Sequence, residues 1–236
     1  MVEQLERRST FTRSQQDYLK ALYLLGGDER PVPTRDLALR LGISSPSVSE
    51  MVTRLSAQGL VEHDRYRGQE LTRDGRKVAL ELVRHHRLLE MFLVRVLGYA
   101  WDEVHDEAER LEHVISERME QRIFELLGRP ELDPHGHVIP SLTGKVRPVS
   151  HRSLSESKAG ERLIVQGVSD DDPGKLRELE RRRLLPGTRI AVLRGSDFEG
   201  PIDVRIRGRR ESVPLGLARA IFVTDAHPAA RRADSN

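Results

Sequence analysis

Apolar residues in the first third of the chain recur at helical spacing in three short runs. The first run spans 18–25 and is followed by two glycines, and the second spans 34–41 and stops at Gly42. The third opens on a Ser-Pro pair and ends at Gly59, and alternating residues around Gly68 then predict a β-hairpin. This order of helix, short turn, helix and hairpin is typical of a winged helix-turn-helix.

Longer helical stripes follow over residues 72–127. Thr72 is predicted to cap the first helix, Gly98 to break it, and a second helix to start near Asp102. The inner stripe of the first helix consists of Val78, Leu82, His86, Leu89, Leu93 and Val96. The inner stripe of the second consists of Val104, Ala108, Leu111 and Ile115. Residues 129–153 contain four prolines and two glycines, which predicts a linker.

The last third of the chain is predicted to form short strands with one helix. The strands are expected at Arg162–Val168, Thr188–Arg194 and Asp203–Arg207, and the helix near Pro173–Arg183. The polar end, 226–236, predicts disorder. The pattern as a whole predicts a mainly α-helical chain with a small β content.

Composition narrows the functional classes. Apolar residues make up 37% of 236 residues and charged residues 32%, which allows small buried cores and is not typical of a disordered chain. The absence of Cys excludes disulfides, zinc–thiolate sites and thiol nucleophiles. Since there is no signal-peptide core and no apolar run of ~18 residues, we expect a cytoplasmic protein without a membrane partner.

Charge is balanced overall but uneven along the chain. Lys and Arg number 39 against 37 Asp and Glu, whereas residues 81–125 contain eleven acidic residues and six arginines. This middle stretch would attract cations.

The second helix of a helix-turn-helix pair enters the major groove, and here it begins with small hydroxyl residues. Hydroxyls bond bases or phosphates, proline can contact a thymine methyl group, and the basic hairpin tip can reach the backbone or minor groove. The predicted DNA contacts are Thr34, Arg35, Ser44, Ser45, Pro46, Ser47, Ser49, Arg54, Arg65, Tyr66 and Arg67. The alternative is a winged helix that makes only protein contacts.

A second group of polar residues has the spacing of a metal site. The group consists of His105, Glu109, Glu112 and His113. A helix places the last three on one face and the first one turn earlier. His86 and Glu90 are likewise one turn apart on the preceding helix. Carboxylates and imidazoles beside an apolar stripe suit a divalent ion, and the alternative is a solvated charged face with His86 in the core.

These motifs resemble the diphtheria-toxin-repressor/manganese-repressor family of bacterial metalloregulators. Within residues 10–141 the matching stretches are QDYLKALY from Gln16, SPSVSEMVTRL from Ser45, GLV from Gly59, LTRDG from Leu71, HHRLLEMFL from His85, HDEAERLEHV from His105 and DPHGHVIP from Asp133. Residues 154–225 are similar to the SH3-like module, related to ferrous-transport protein A, that some members carry. The stretches that resemble it are LSESKAGE from Leu154 and LPGTRIAVL from Leu185.

The resemblance implies five segments. They are a winged helix-turn-helix DNA-binding domain at 1–75, a helical metal-binding and dimerisation domain at 76–141, a linker at 142–153, an SH3-like (FeoA-like) β-barrel at 154–225 and a disordered tail at 226–236. The expected partners are a double-stranded DNA operator and a second copy of the chain, with no small-molecule substrate. The apolar residues expected at the dimer interface are Leu111, Ile115, Met119, Ile123 and Phe124.

Two metal positions are also implied by the resemblance. One uses Asp17, Glu109, Glu112 and His113, and the other uses His86, Glu90 and His105. Further candidates, from the module that adds ligands in three-domain relatives, are Asp170, Asp171 and Asp172. The alternative for Asp172, which precedes Pro173, is a helix cap. His135 and His137 are expected to be loop residues.

The expected ion is Mn²⁺, with Fe²⁺ as the alternative and Zn²⁺, Co²⁺ or Cd²⁺ as substitutes in vitro. Iron-sensing members tend to carry Met and Cys in the places of Asp17 and Glu109, whereas hard carboxylates suit Mn²⁺. Lys20 stands where shorter manganese sensors often carry Glu. Because a protonated lysine cannot ligate a metal, we expect two separate metal positions rather than a paired-ion arrangement.

The resulting hypothesis is a non-enzymatic, metal-dependent regulator that represses metal-uptake genes. An ion held by Asp17 and by Glu112 would clamp the DNA-binding segment to the helical one and set the spacing of the recognition helices. One alternative is a metal-dependent hydrolase, although the chain has no HExxH motif, nucleophile elbow or P-loop. The other is a winged-helix regulator that responds to an organic ligand.

Overall fold

A computed structural model describes residues 11–64, 66–149, 152–196 and 199–226. The predicted DNA contact Arg65 and all of the predicted tail except Ala226 lie outside these residues. The chain divides into two compact units. The first contains Met1–Phe92, Asp106–Glu131 and Ile139–Val146. The second contains Leu93–His105, Leu132–Val138 and Arg147–Asn236.

The winged helix-turn-helix predicted for the start of the chain is confirmed. Its elements are α1 (Arg13–Leu24), α2 (Thr34–Leu41), α3 (Ser45–Ala57), β1 (Val61–Asp64) and β2 (Gly68–Leu71). The two strands pair in antiparallel register, with Val61 opposite Leu71. Local sequence explains the corner between α2 and α3, because Gly42 adopts a left-handed conformation and the Ser44 hydroxyl accepts from Ser47 N.

One buried cluster holds this module together. Its members come from the inner faces of all three helices and include Leu19, Leu37, Val48, Val52 and Leu55. Each is at most 1% exposed, which accounts for the apolar spacing seen in the sequence.

The prediction of two long helices over 72–127 is wrong in its second half. The structure has α4 (Arg73–Arg95), α5 (Val104–Leu111) and α6 (Glu117–Leu126). A separate helix begins after Ser116, whose hydroxyl accepts from Met119 N and caps α6. The capping role predicted for Thr72 is confirmed, since its hydroxyl accepts from Gly75 N at 3.1 Å.

The predicted linker over 129–153 is wrong in its first part. Val138 and Ile139 are buried, and the backbone of Ile139 pairs with Glu131. Gly136 explains the tight loop, because its φ is +91° and a Cβ there would lie 2.2 Å from the carbonyl oxygen of Gln166. Proline and glycine therefore mark a packed loop here rather than a free connection.

The second unit contains a five-stranded antiparallel sheet, the SH3-like module. Its strands are β3 (Arg162–Val168), β4 (Arg189–Arg194), β5 (Ile202–Ile206), β6 (Arg209–Val213) and β7 (Ile221–Asp225), in the order β6-β5-β4-β3-β7. The helices are α7 (Pro173–Arg181) and the short α8 (Leu215–Ala218), with a 3₁₀ turn at Leu154–Glu156. The sequence predicted the first three strands and α7 but missed β6 and β7.

In the described ranges, no helix combines the length and the apolar character needed to cross a bilayer.

Candidate metal centre and nucleic-acid interface

The candidate ligands of the first unit come from three helices and the turn after the third. α1 carries Asp17, α4 carries His86 and Glu90, α5 carries Glu109, and the turn carries Glu112 and His113. Although α5 ends at Leu111, the amide of Glu112 still donates to the carbonyl of Ala108 at 2.9 Å. Glu112 therefore continues the helical hydrogen-bonding pattern of α5, and its side chain is completely buried.

Three of the four ligands predicted for the first position come together. The coordinating atoms of Asp17, Glu112 and His113 all lie within 4.8 Å of one another. His113 Nε2 is 2.9 Å from Asp17 Oδ1 and 3.6 Å from Glu112 Oε1. This buried nitrogen nevertheless has no hydrogen-bond partner in the described part of the chain.

The tautomer of His113 explains that geometry. His113 Nδ1 lies 2.7 Å from Gln16 Oε1, and an amide oxygen can only accept, so Nδ1 carries the hydrogen. In the neutral form of this tautomer Nε2 would carry the lone pair and face two carboxylates, an arrangement that a cation placed between the three side chains would stabilise. This donor set therefore fits a divalent ion, with Gln16 fixing the metal-binding tautomer. The sequence-based prediction missed Gln16, whose only signal is its place beside Asp17.

Glu109, the fourth ligand predicted for this position, contacts Lys20 in the structure, and its role as a metal ligand stays a prediction. The Lys20 ammonium donates to Glu109 Oε1 at 2.6 Å and to the two carboxylate oxygens of Glu112 at 2.9 and 2.8 Å. It also lies 3.1 Å from His86 Nδ1. Only 8% of the lysine side chain is exposed, so these are buried ionic contacts.

His86 lies between two carboxylates. Its Nδ1 is 2.5 Å from Glu112 Oε2 and its Nε2 is 3.0 Å from Glu90 Oε1. Burial lowers the pKa of the imidazole, but the charge of Glu90 and the hydrogen bonds with Glu112 and Glu90 outweigh burial and the nearby Lys20, raising the pKa to about 9. A metal ion that used His86 would therefore have to displace a proton.

Of the three residues predicted for the second metal position, His86 and Glu90 lie in the first unit and His105 lies in the second. His86 and Glu90 meet on one face of α4, as their spacing predicted. His105 is half-buried in the first turn of α5 and belongs to the second unit. Its membership of this position stays a prediction.

The three aspartates of the second unit have separate surroundings. Asp172 caps α7 by accepting from the backbone amides of Gly174 and Lys175. Asp171 accepts from the hydroxyl of Ser169, whereas an oxygen of Asp170 lies 3.5 Å from His137 Nδ1. Their role as metal ligands stays a prediction.

The loop histidines of the second unit differ in burial. His135 is fully buried and stacks on Trp101, with ring centres 5.4 Å apart. His137 is half-buried and contacts Asp133 at 3.2 Å. The Asp133 carboxylate also accepts from the backbone amides of both histidines, which holds the loop closed.

Sequence reasoning also missed a second group of imidazole and carboxylate side chains around α4. The coordinating atoms of Glu81, His85 and Glu117 lie within 4.8 Å of one another. Next to them, Arg84 forms a buried ion pair of 2.6 Å with Glu120. The available signal was the one-turn spacing of Glu81 and His85.

Most of the residues predicted to contact DNA are exposed to solvent. Ser44, Ser45, Pro46, Ser47 and Ser49 at the start of α3 are all exposed. Arg35, Arg54, Tyr66 and Arg67 are exposed as well, and Thr34 is half-buried. Arg54 pairs with Glu50 on the same helix. Their part in DNA binding stays a prediction, since exposure alone does not show contact.

Asp64 stabilises the hairpin tip through two backbone hydrogen bonds. The Asp64 carboxylate accepts from the backbone amides of Tyr66 and Arg67, which lowers the pKa of Asp64. The side chain of Tyr66 is left 91% exposed. This tip can present an aromatic and a basic side chain to a partner.

The first unit combines a helix-turn-helix that carries exposed hydroxyl groups with a cluster of carboxylate and imidazole side chains. This combination is that of a metal-binding winged-helix transcriptional regulator. Family models agree along the chain. The DNA-binding domain of the iron-dependent repressors matches residues 10–69, their metal-binding and dimerisation domain matches 72–141, and the FeoA domain matches 152–225. The chain belongs to the iron-dependent repressor family. It is also similar to diphtheria toxin repressors and to a manganese-dependent repressor.

Individual relatives extend over most of the chain. The iron-dependent repressor IdeR of Mycobacterium leprae is 44% identical over 220 residues, covering 87% of this chain and 94% of the relative. A solved manganese-dependent transcriptional repressor in complex with manganese is 41% identical, covers 90% of this chain and 100% of its own, and superposes with a TM-score of 0.83. ScaR with bound Zn²⁺ is 34% identical, with coverage of 90% and 99% and a TM-score of 0.76. The chain is thus a metal-dependent, DNA-binding regulator, and its relatives do not single out one metal.

Proposed function

We propose that this protein is a homodimeric repressor of metal-uptake genes that binds its operator when Mn²⁺ is bound. The observation that carries the proposal is the position of His113 Nε2, which lies 2.9 Å from Asp17 Oδ1 and 3.6 Å from Glu112 Oε1 and has no hydrogen-bond partner among the described residues. The oxygen-rich donor set favours Mn²⁺ over thiolate-preferring ions, and Fe²⁺ is the alternative. The bound ion supplies positive charge that holds these side chains together.

Contacts of α1 supply a route from the metal centre to the DNA surface. Asp17 is followed by Tyr18, whose hydroxyl donates to the carbonyl of Ser47 at 3.3 Å in the first turn of α3. Gln15, two residues earlier, donates to Gln58 at the other end of α3. A constraint on Asp17 therefore restrains the helix that would enter the major groove.

The second copy would bind through apolar side chains on and near α6. The predicted interface needs a correction, because Ile115 and Ile123 are buried within the chain itself. The exposed apolar residues of this region are Val114, Met119 and Leu126, at 75%, 46% and 65%. We assign the dimer contact to these three side chains.

The test is a DNA-binding titration with the protein's own upstream region, using Mn²⁺, Fe²⁺, Zn²⁺ or chelator in parallel. Wild type should gain affinity with Mn²⁺ by ~5–150-fold, the usual range for coupled sites. Asp17→Ala and Glu112→Ala should fold and lose this gain. Asp74→Ala, which removes an exposed carboxylate of α4 paired with Lys77, is the matched control and should keep it. If both cluster variants still responded to Mn²⁺, the proposal would be wrong.

A further inference from the structure

Lys20 has the surroundings of a bound cation rather than those of a surface salt bridge. Three carboxylate oxygens of Glu109 and Glu112 accept from its ammonium group at 2.6–2.9 Å. His86 Nδ1 lies 3.1 Å from the same nitrogen. The Glu112 carboxylate is completely buried, and the lysine side chain is 8% exposed. Surface pairs of this type contribute little, but here the ammonium replaces water around a buried carboxylate.

The Glu112 carboxylate connects two neighbouring cation positions. Its oxygens contact the Lys20 ammonium on one side, and Oε1 lies 3.6 Å from His113 Nε2 on the other. The first position is filled by the ammonium. The second is the candidate metal position beside Asp17.

Charge limits how many metal ions these two positions can hold. Glu90 is paired with His86, 3.0 Å away, and is left out of the count. The carboxylates of Asp17, Glu109 and Glu112 together with the Lys20 ammonium then leave two negative charges, which one divalent ion would neutralise. A second divalent ion at Glu109 and Glu112 would meet the ammonium at contact distance, where like charges repel strongly in a buried environment.

We propose that Lys20 is a resident cation that takes the place of a second divalent ion, so that the carboxylate cluster binds one metal ion beside Asp17 and His113. The proposal rests on the metal-binding function proposed above. It assigns to Lys20 two roles, which are to hold Glu109 and Glu112 together and to set the number of ions bound at the cluster.

The first experiment compares wild type with Lys20→Met, which keeps the length of the side chain and removes its charge. Mn²⁺ binding is measured by titration calorimetry and Tm by thermal unfolding in chelator. The variant should bind about one more Mn²⁺ per chain than wild type, because the donors around the ammonium become accessible to an ion. Its Tm in chelator should fall by roughly 6 °C or more, because buried carboxylates lose their counter-charge.

Lys77→Met is the matched control. Lys77 also pairs with a carboxylate, Asp74, at 2.6 Å, but both partners are exposed. This variant should match wild type in Mn²⁺ stoichiometry and in Tm. If Lys20→Met also matched wild type in both measurements, Lys20 would not be a resident cation.

A second measurement uses unmodified wild type and does not depend on the folding of a variant. The chain has five lysines, of which Lys77, Lys145 and Lys158 are exposed and serve as internal references. Acetylation by an N-hydroxysuccinimide ester is followed for each lysine by mass spectrometry. Lys20 should react slowly both in chelator and with saturating Mn²⁺. Faster labelling of Lys20 alone with Mn²⁺ would show that the metal displaces the ammonium and would overturn the proposal.

The two proposals fail in different ways. If wild type binds Mn²⁺ but Lys20→Met binds the same number of ions with an unchanged Tm, the inference about Lys20 is wrong and the metal-dependent function stands. If neither protein binds Mn²⁺, both are wrong.

Discussion

At the scale of single residues, the orientation of His113 depends on a side chain that no metal-binding motif contains. Gln16 accepts the hydrogen of His113 Nδ1 and leaves Nε2 facing Asp17. Neighbours that fix the remote nitrogen of a metal-binding histidine commonly change metal affinity without touching the ion.

We expect Gln16→Leu to weaken Mn²⁺ binding by ~10–100-fold, because the leucine cannot hold the required tautomer. Calorimetry at fixed pH measures the change. Gln121→Leu, which removes an amide that donates to Glu125 on its own helix, should leave the affinity unchanged. Equal Mn²⁺ affinities for Gln16→Leu and wild type would contradict the tautomer argument.

At the scale of elements, the contact between α1 and α3 is the proposed link between the metal cluster and the DNA-binding surface. Tyr18 follows Asp17 in sequence, and its hydroxyl bonds the carbonyl of Ser47, which lies among the exposed hydroxyl residues of α3. The ring of Tyr18 is buried in the core of the module, so the hydroxyl is held in place by packing.

Tyr18→Phe should reduce the Mn²⁺-dependent gain in DNA affinity by ~2–10-fold while leaving Mn²⁺ affinity in the absence of DNA unchanged. Fluorescence anisotropy of a labelled operator and calorimetry measure the two quantities. Tyr23→Phe, on the same helix, is the control and should change neither. A full Mn²⁺ response in Tyr18→Phe would exclude this contact as part of the coupling.

Asp172 caps α7, and a substitution there distinguishes a structural role of this residue from a metal-binding one. Asp172→Ala should lower the stability of the second unit by ~1 kcal/mol, because two backbone amides lose their acceptor. Thermal unfolding measures the change, and Asp171→Ala, which affects a hydroxyl contact only, should have a smaller effect. A loss of Mn²⁺ equivalents in Asp172→Ala would instead identify Asp172 as a ligand.

At the scale of the whole molecule, the proposed dimer contact uses apolar side chains that remain exposed in the single chain. Val114, Met119 and Leu126 remain exposed although the helices around them are well packed. Exposed apolar side chains, where they form a contiguous patch, mark association surfaces.

Met119→Glu should therefore weaken the dimer by ~10-fold or more, since a charge would be buried against apolar side chains. Sedimentation equilibrium measures the dissociation constant. Gln121→Glu makes the same change in charge on the same helix without removing apolar surface, so it should have a smaller effect. An unchanged dimer in Met119→Glu would place the interface elsewhere.

Much of the fold was predictable because short-range signals agree with it. The left-handed Gly42 and the cap at Ser44 lie within a few residues of the helices they delimit. β6 and β7 were missed, and Arg209–Val213 has little apolar alternation that could have indicated a strand. The break before α6 was missed as well, because Ser116 interrupts a stripe whose apolar spacing continues beyond it.

The sequence by itself determined the order of elements in the winged helix-turn-helix and the chemical types of the metal donors, because both follow from residue identity and short-range spacing. It also determined that no thiolate could take part. Only the tertiary structure decided that Lys20 lies among Glu109, Glu112 and His86, from which it is 89, 92 and 66 residues distant in sequence. Packing of α1 against α4 and α5 brings those charges together, and no local pattern records which side chains meet when helices pack.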